Sequence, residues 1–472
     1  MSLIGLEISD AGIIAAAGTP AGLLELDGQA TESPGFALLQ KKGMLLGKEA
    51  ERKAQLFPRQ ILNHFWDQLD TEPLKLPGKH APQNQAEIVF QHLSHIWQAI
   101  QKHGDEIAMV VPEFYDRRQL GLILGIAQEL SMDVKGFVPM ALAASAQAIP
   151  GKMLLYLDIH LHRIEVIYLK QGEYLTIEDS VSTSGKGLLE LYRIWVETIA
   201  QEFVRGTRFD PIHLAATEQE LYDRLPEVLS HFRQHSTMVF DVINSGTSYS
   251  ITLKDSLLAR GAESIYAEIC RLVEKFRTKH GQDNPPVALQ LSHRLSRLPG
   301  CRQMLSTLKN IQIIELDRGT GARAILGIWQ QLSDQTTNEG ISFFTSRPWQ
   351  HPRDEYNYPP SPGKITGKLP THLLYRSIAY PITERPLIIA MDTDSEKPRI
   401  HTQGRSDQFS SRYCTIERRS REVVLKDDST GGISVNEFRV NGSITLKLGH
   451  IIRLEATGDQ LELIACLNPN ET

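Results

Sequence analysis

Apolar and polar positions along this chain follow two different periods. Residues 3–8, 107–111, 153–158, 163–169 and 287–291 are short, nearly continuous apolar runs bounded by Gly, Pro, Asp or Ser. That is the pattern of buried strands. Pro112 stops the second run. Elsewhere the period lengthens. Leu120, Ile123, Leu124, Ala127 and Leu130 recur at helical spacing and predict a helix over 117–132. Leu188, Leu191, Trp195 and Ile199 predict a second helix, and 322–332 reads as a third. The runs 153–158 and 163–169 pair naturally as two strands around His160-Leu161-His162. Strands alternating with amphipathic helices predict an α/β fold for residues 1–335.

Past that point no period survives. Pro348, Pro352, Pro359, Pro360, Pro362 and Pro370 crowd a stretch that predicts an extended linker over 336–370, because proline fixes φ and removes a backbone donor. Residues 371–472 follow a third pattern. Short apolar segments at 386–390, 413–417, 422–425, 434–435, 438–440, 451–454 and 461–465 are separated by Gly, Asp, Ser and Asn, with no helical segment between them. This predicts an all-β sandwich.

Composition narrows the function. The chain has 472 residues, 41% of them hydrophobic and 22% charged, with a net charge of −6. Such a balance gives no reason to expect a nucleic-acid partner, which needs a surplus of Lys and Arg on one surface. Cys270, Cys301, Cys414 and Cys466 stand far apart and form no CxxC pair, so reduced thiols are expected rather than a zinc knuckle or a disulfide framework. No apolar run reaches the ~18 residues needed to span a bilayer. Glu7 and Asp10 interrupt the apolar N-terminal run, and no basic segment precedes it, so no signal peptide is expected. A cytoplasmic protein without membrane insertion is the expectation.

Five stretches in register carry a resemblance. They are Ile4-Gly5-Leu6-Glu7-Ile8-Ser9-Asp10-Ala11; Leu46-Gly47-Lys48-Glu49-Ala50 running on to Gln55 and Pro58; Val110-Val111-Pro112-Glu113-Phe114 running on to Arg117-Arg118-Gln119; the segment from Asp158 to Glu165; and the segment from Leu291 to Pro299. In this order they resemble the first phosphate loop, an alanine-rich segment, a strand–helix junction, the second phosphate loop and the adenosine loop of the 70-kDa heat-shock chaperones. The resemblance implies the two-lobed actin/hexokinase-like ATPase fold for residues 1–335.

It also implies a nucleotide cleft, and here the chain departs from the family. Phosphate loops in this fold need glycines whose backbone amides can approach the phosphates closely. His160, Leu161 and His162 stand where the family has three glycines, and Arg163 where it has a threonine. Ser9 replaces a glycine of the first loop, and Asp10 a threonine that would donate to phosphate. A carboxylate 4 Å from a phosphate charge costs about 4 kcal/mol at an effective dielectric near 20. His293 and Arg294 replace the glycine pair of the adenosine loop. The family's catalytic lysine aligns near Trp66, where no lysine stands, and its acid before the alanine run aligns with Val138. Glu7, Asp158 and Glu165 keep the family's acids. The expectation is therefore no catalytic residue and no cofactor, neither ATP nor Mg. His160, His162, Arg163 and Arg294 are expected to pair with Glu7, Asp10, Asp158 and Glu165 across the cleft. His160 and His162 alone do not make a zinc site, since no further ligand stands at a suitable spacing. Trp66 is expected in a core.

The C-terminal segment resembles a forkhead-associated domain. Ser429-Thr430-Gly431-Gly432-Ile433-Ser434-Val435-Asn436 aligns without gaps to that family's loop, and Leu446-Lys447-Leu448-Gly449 to the strand after it. Ser411-Arg412-Tyr413-Cys414 matches a second loop, with cysteine in place of histidine. The resemblance implies peptide-binding loops carrying Ser411, Arg412 and Asn436. The family's phosphate-reading Gly-Arg pair aligns with Ala390-Met391, and Arg399 or Arg405 of the next loop is its candidate substitute. Without that guanidinium fork, phosphate-independent docking is favoured over phosphopeptide binding. Arg412, Arg418, Arg419 and Arg421 read as a solvated edge or as an anion patch.

Together the two resemblances imply a bacterial-type, non-catalytic scaffold or adaptor that holds protein partners. Two other readings stay open: an ATP-binding or ATP-hydrolysing regulator of the same family, and an actin-like self-assembling protein.

Overall fold

The computed structural model describes the chain apart from residues 1, 79–80, 146–147, 282–284, 334–340, 349–368, 376–377, 384, 391–398, 402–411, 420–421, 429–432, 436–437, 441, 455–458 and 466–472. The chain divides into two compact units, Met1–Pro352 and Arg353–Thr472.

The first unit is α/β and is built on two six-stranded sheets, five strands of which follow the same topology in both. In the first sheet, Leu3–Glu7 pairs antiparallel with Ile14–Ala17, which pairs antiparallel with Gly22–Leu23. On its other side Leu3–Glu7 runs parallel to Glu106–Val111, and that strand parallel to Asp133–Pro139. In the second sheet, Met153–Ile159, Arg163–Gln171 and Tyr174–Ser184 form the antiparallel meander. Val287–Leu291 and Ile311–Glu315 add the two parallel strands. A further short strand closes each sheet: Ser342–Phe343 beside Asp133–Pro139, and Ser346–Pro348 beside Tyr174–Ser184. Residues 342–348, assigned to the linker on their composition, thus belong to these sheets. Pro348 is tolerated because it ends an edge strand, where a missing N–H breaks no ladder.

The central strands are apolar on both faces because both faces are covered. Ile107, Met109 and Val111 face a core shared with the helices Gln85–Ile100 and Arg117–Glu129. Their neighbours Ala108 and Val110 face the opposite way. In the same fashion Leu155, Leu157 and Ile159 face the helices Leu188–Thr207 and Glu263–His280, while Leu154 and Tyr156 face inward. The inward residues of both sheets meet in one core with the helices Met140–Ala144 and Thr320–Ser333. A period of two on a strand thus feeds two cores at once. The helix Arg117–Glu129 starts on a capping box: Gln119 N–H donates to Asp116 Oδ1 at 2.8 Å, and Asp116 N–H to Gln119 Oε1 at 3.2 Å.

The strands and helices expected from periodicity are present within a few residues, except that the helix starting at Leu188 runs on to Thr207. Further elements stand outside those expectations. They include the helices Gln85–Ile100, Ala215–His231 and Glu263–His280, and the hairpin Thr237–Asn244 with Thr247–Lys254. Phe240, Val242, Ile251 and Leu253 of that hairpin enter the second core, while Val239 and Ile243 stay exposed.

The second unit, in its described residues, is built of strands alone. One sheet contains His372–Tyr375, Gln460–Ile464, Ile451–Leu454 and Ile433–Val435; the other contains Leu387–Ala390, Arg412–Arg419, Glu422–Asp427 and Ser443–Leu446. Leu373, Val435, Ile452 and Leu463 from the first share one core with Ile389, Ile416, Val423 and Leu425 from the second. Cys414 lies in that core, Cys301 is buried in the first unit, and Cys270 is partly buried. Cys466 lies outside the described residues. Among the described residues no helix is long and apolar enough to cross a membrane.

One glycine tests the packing of the inner layer. A Cβ at Gly5 would lie 2.0 Å from Ala322 O and 2.7 Å from Ile325 Cγ2. Gly5→Ala is expected to lower stability by about 1–3 kcal/mol through overpacking. Gly121→Ala, in a helix with open space around it, is expected to raise stability by roughly 0.5–1 kcal/mol. Urea denaturation of the two variants beside the parent checks both signs.

Candidate functional site

The turn after Leu3–Glu7 and the turn after Met153–Ile159 occupy corresponding places in the two sheets, and they touch. Ser9 Oγ lies 3.0 Å from His160 Nδ1, and Leu161 N–H donates to Asp10 Oδ1 at 2.8 Å. The second tip is held from behind by a helix start. Leu188 N–H and Leu189 N–H donate to the His160 and Leu161 carbonyls at 2.9 and 3.1 Å. Gly187 permits this approach, since a Cβ there would lie 2.3 Å from Leu161 O.

Charge is concentrated around the contact. Asp10, Asp158, His160 and Glu165 are each no more than 2% exposed. His160 Nε2 lies 3.4 Å from Glu165 Oε2 and 4.0 Å from Asp158 Oδ2, and Nδ1 lies 3.8 Å from Asp10 Oδ1. Phe114 packs edge-on against the imidazole. Burial alone would push the His160 pKa down, but the Asp158, Glu165 and Asp10 carboxylates outweigh it and hold it above the ordinary value.

A second bridge crosses the cleft nearer its mouth. Arg294 Nη2 donates to Gly12 O at 3.0 Å and to Glu32 Oε1 at 2.8 Å, and Nε donates to the same carboxylate oxygen at 3.2 Å. Arg294 Nη1 lies 4.0 Å from Asp158 Oδ1. One guanidinium thus joins the first turn, Glu32 and the strand end that carries Asp158. Burial disfavours ionised Glu32, yet Arg294, His293 and Arg318 outweigh burial and hold its carboxyl far below the usual range. Arg318 Nη2 lies 3.5 Å from Glu32 Oε2, and His293 Nε2 lies 3.8 Å from Oε1. Glu7 sits deepest. Its Oε2 accepts Ala322 N–H at 3.3 Å, at the start of the helix Thr320–Ser333. Burial raises its pKa, and Arg294 and His293 only partly offset that.

Arg163 and His162 do not join this network, contrary to expectation. Arg163 Nε donates to Asp67 Oδ1 at 2.8 Å, and its guanidinium lies 4.0 Å over the Phe114 ring. His162 stacks on His64 with ring centroids 3.7 Å apart, and its Nε2 is 2.9 Å from Asn63 O. The physical reason is access. Ser9 and Asp10 occupy the cleft side of the tip, so these two side chains, only partly buried, meet the segment around Asn63, His64 and Asp67 instead. Burial lowers the His162 pKa, and His64 lowers it further.

Trp66 is buried, as a core residue should be, and it opens a hydrogen-bonded chain. Its Nε1–H donates to His92 Nδ1 at 2.9 Å. Indole only donates, so His92 carries its proton on Nε2, which lies 2.9 Å from Ser33 Oγ. Ser33 donates to Asp27 Oδ2 at 2.8 Å. Asp27 also accepts from Lys48 N–H at 2.8 Å and lies 2.6 Å from His95 Nε2. Burial holds His92 neutral, with its pKa pushed down to about 4.

Glu32, Asp67, His92 and Glu113 carry much of this electrostatics and were not read from the sequence. Glu32 lies in a turn-rich stretch and Glu113 follows a strand-ending proline, so neither shows a periodic signal. Of the peptide-loop candidates, Ser411, Arg405 and Asn436 lie outside the described residues, and Arg412 only opens the strand Arg412–Arg419. Among the described residues no group of three or more His, Cys, Asp or Glu is arranged to hold a metal ion. Beyond the Arg294–Glu32 bridge lies a cavity of about 710 Å³, lined from both sides of the cleft. The chain matches no protein-family model, and it matches no curated protein sequence.

Glu113 gives a test of the acid cluster. Burial and the neighbouring Glu165 push its pKa up to about 7. A carboxyl raised above its unfolded value favours folding when protonated, so its contribution is full below pH ~4.5 and is lost as the pH rises to about 7. Glu113→Gln should therefore match the parent at pH 4 and exceed its stability at pH 8 by about 1–2 kcal/mol, after discounting for partial exposure. Denaturant melts at the two pH values measure the difference.

Proposed function

We propose that the first unit has the two-lobed actin/hexokinase-like fold of the 70-kDa heat-shock chaperones, with its nucleotide cleft closed by its own side chains. The chain then acts as a scaffold or adaptor for protein partners and not as an ATPase. Support for the fold comes from the duplicated meander-plus-parallel topology of the two sheets. Support for the altered function comes from the contact between the two turns.

In the family this unit resembles, the phosphates lie between those turns. Here Ser9 and Asp10 bond directly to His160 and Leu161, which leaves no gap for a phosphate chain. Four acids, Glu7, Asp10, Asp158 and Glu165, surround the same spot and repel one. Arg294 bridges the lobes and stands in for the metal-bound nucleotide as a cross-link. A buried ion pair of this kind is weak evidence for stability but can define a geometry. The second unit, which resembles a forkhead-associated domain, supplies the docking module in this reading.

Magnesium-ATP at millimolar concentration is expected to leave the melting temperature of the full chain unchanged, because a ligand of the native state must raise it. No phosphate release above background is expected in a sensitive turnover assay. Affinity purification of the full chain, followed by mass spectrometry, is expected to return a stable protein complex. A raised melting temperature with magnesium-ATP, or turnover, would overturn the reading.

A further inference from the structure

The hairpin Thr237–Asn244 with Thr247–Lys254 forms a two-stranded sheet of its own and joins neither large sheet. Its inner face is buried in the second core, so only its edges and outer face stay open. The turn decides which backbone groups point where. Ser245 and Gly246 both have positive φ, at 49° and 80°, as in the two-residue turn that closes on a hydrogen-bonded pair. Asn244 and Thr247 are that pair, and hydrogen-bonded and open pairs alternate from there. The backbone groups of Val239 and Asp241 therefore point outward along one edge, and those of Ser248, Ser250 and Thr252 along the other.

The two edges differ in what meets them. On the first, Arg224 donates to Asp241 O, and His231 Nε2 lies 2.9 Å from Thr237 O. Both side chains come from the helix Ala215–His231, which covers that edge. On the second, nothing among the described residues bonds to the backbone of Ser248, Ser250 or Thr252 outside the hairpin itself. Their side chains are exposed as well. An open edge is ordinarily blunted by charge, by proline or by a bulge. Between Thr247 and Leu253 there is no charged residue and no proline, and the register runs without a shift.

We propose that this edge pairs with the same edge of a second copy of the chain, antiparallel about a two-fold axis at Ser250, so that a four-stranded sheet spans a symmetric dimer. Ser250 then faces the partner's Ser250, and Ser248 faces the partner's Thr252 on either side of it. Each facing pair exchanges two backbone hydrogen bonds. The charges permit this arrangement. Lys254, the only charged residue of the strand, lies four positions from the axis, which puts the two copies of it about 27 Å apart. The two copies of Asp241 lie three strand spacings apart, about 14 Å. Both separations exceed the ~8 Å screening length at physiological salt. The side chains that meet near the axis are small hydroxyls, which hydrogen-bond well across strands. Because one surface serves both copies, the assembly closes at two and does not grow into a filament. The contact is small, so the dimer is a reversible one. It uses no part of the cleft and does not rest on the scaffold reading.

Sedimentation velocity of the full chain over a rising concentration series tests it. A monomer–dimer equilibrium is expected, with a midpoint at roughly tens of micromolar and no larger species. Ser250→Lys and Ser250→Glu each set like charges face to face. Each is expected to weaken the dimer about fivefold or more while the melting temperature of the monomer stays the same, since Ser250 is exposed. An equimolar mixture of the two variants is expected to restore association, because unlike charges then meet. Ser250→Cys is expected to give a covalent dimer with diamide that the parent does not give, since facing Cα atoms of a hydrogen-bonded pair lie about 5.5 Å apart, within disulfide reach. A chain that stays monomeric throughout would overturn the proposal and leave the edge to a strand of another protein. Growth beyond the dimer, a dimer indifferent to Ser250→Lys, or variants that stay apart when mixed would overturn it equally. Magnesium-ATP remains the separate test of the scaffold reading.

Discussion

The hydrogen bonds between two turn tips govern this molecule. Ser9 and Asp10 on one sheet meet His160 and Leu161 on the other, with water excluded and charge on both sides. A hydrogen bond to an ionised group contributes about 1.5–3 kcal/mol, but only while both partners stay in place. That condition explains the surroundings. The start of the helix Leu188–Thr207 fixes the carbonyls of the second tip. Arg294 ties the first tip to Glu32 and approaches Asp158. Buried acids outnumber buried cations there, and the Asp158, Glu165 and Asp10 carboxylates raise the His160 pKa against the effect of burial.

A second polar system works on different terms. The chain from Trp66 through His92 and Ser33 to Asp27 runs donor to acceptor in one direction only. Its imidazole is neutral, where that of His160 favours the charged form. Two histidines at comparable depth thus shift in opposite directions because one faces carboxylates and the other faces an indole and a hydroxyl. Environment, not burial as such, decides between them.

Much of the fold was legible in the chain. Strands buried on both faces appear as unbroken apolar runs, and helices facing one core show their period, so the strand Met153–Ile159 and the helix Arg117–Glu129 were both readable. The replacement of glycines by His160, Leu161 and His162 was readable too, since it changes residue type at a turn. Partner choice was not. Arg294 meets Glu32 across 262 positions, and Arg163 meets Asp67 across 96. Only tertiary folding creates such proximity, and no local period encodes it. The hairpin Thr237–Asn244 with Thr247–Lys254 escaped for another reason: Val239 and Ile243 are apolar on its exposed face and blur the alternation.

The short strands Ser342–Phe343 and Ser346–Pro348 have a mechanical implication. They follow one another in the chain, yet the first is zipped to Gly136 and Phe137 of one sheet and the second to Tyr174, Leu175 and Thr176 of the other. Tension arriving from the C-terminal side would load the second ladder first, then Phe344, which is packed in the inner core between the two strands, and the first ladder last. The segment is thus a seam common to both sheets, and a pull on it would reach them in sequence.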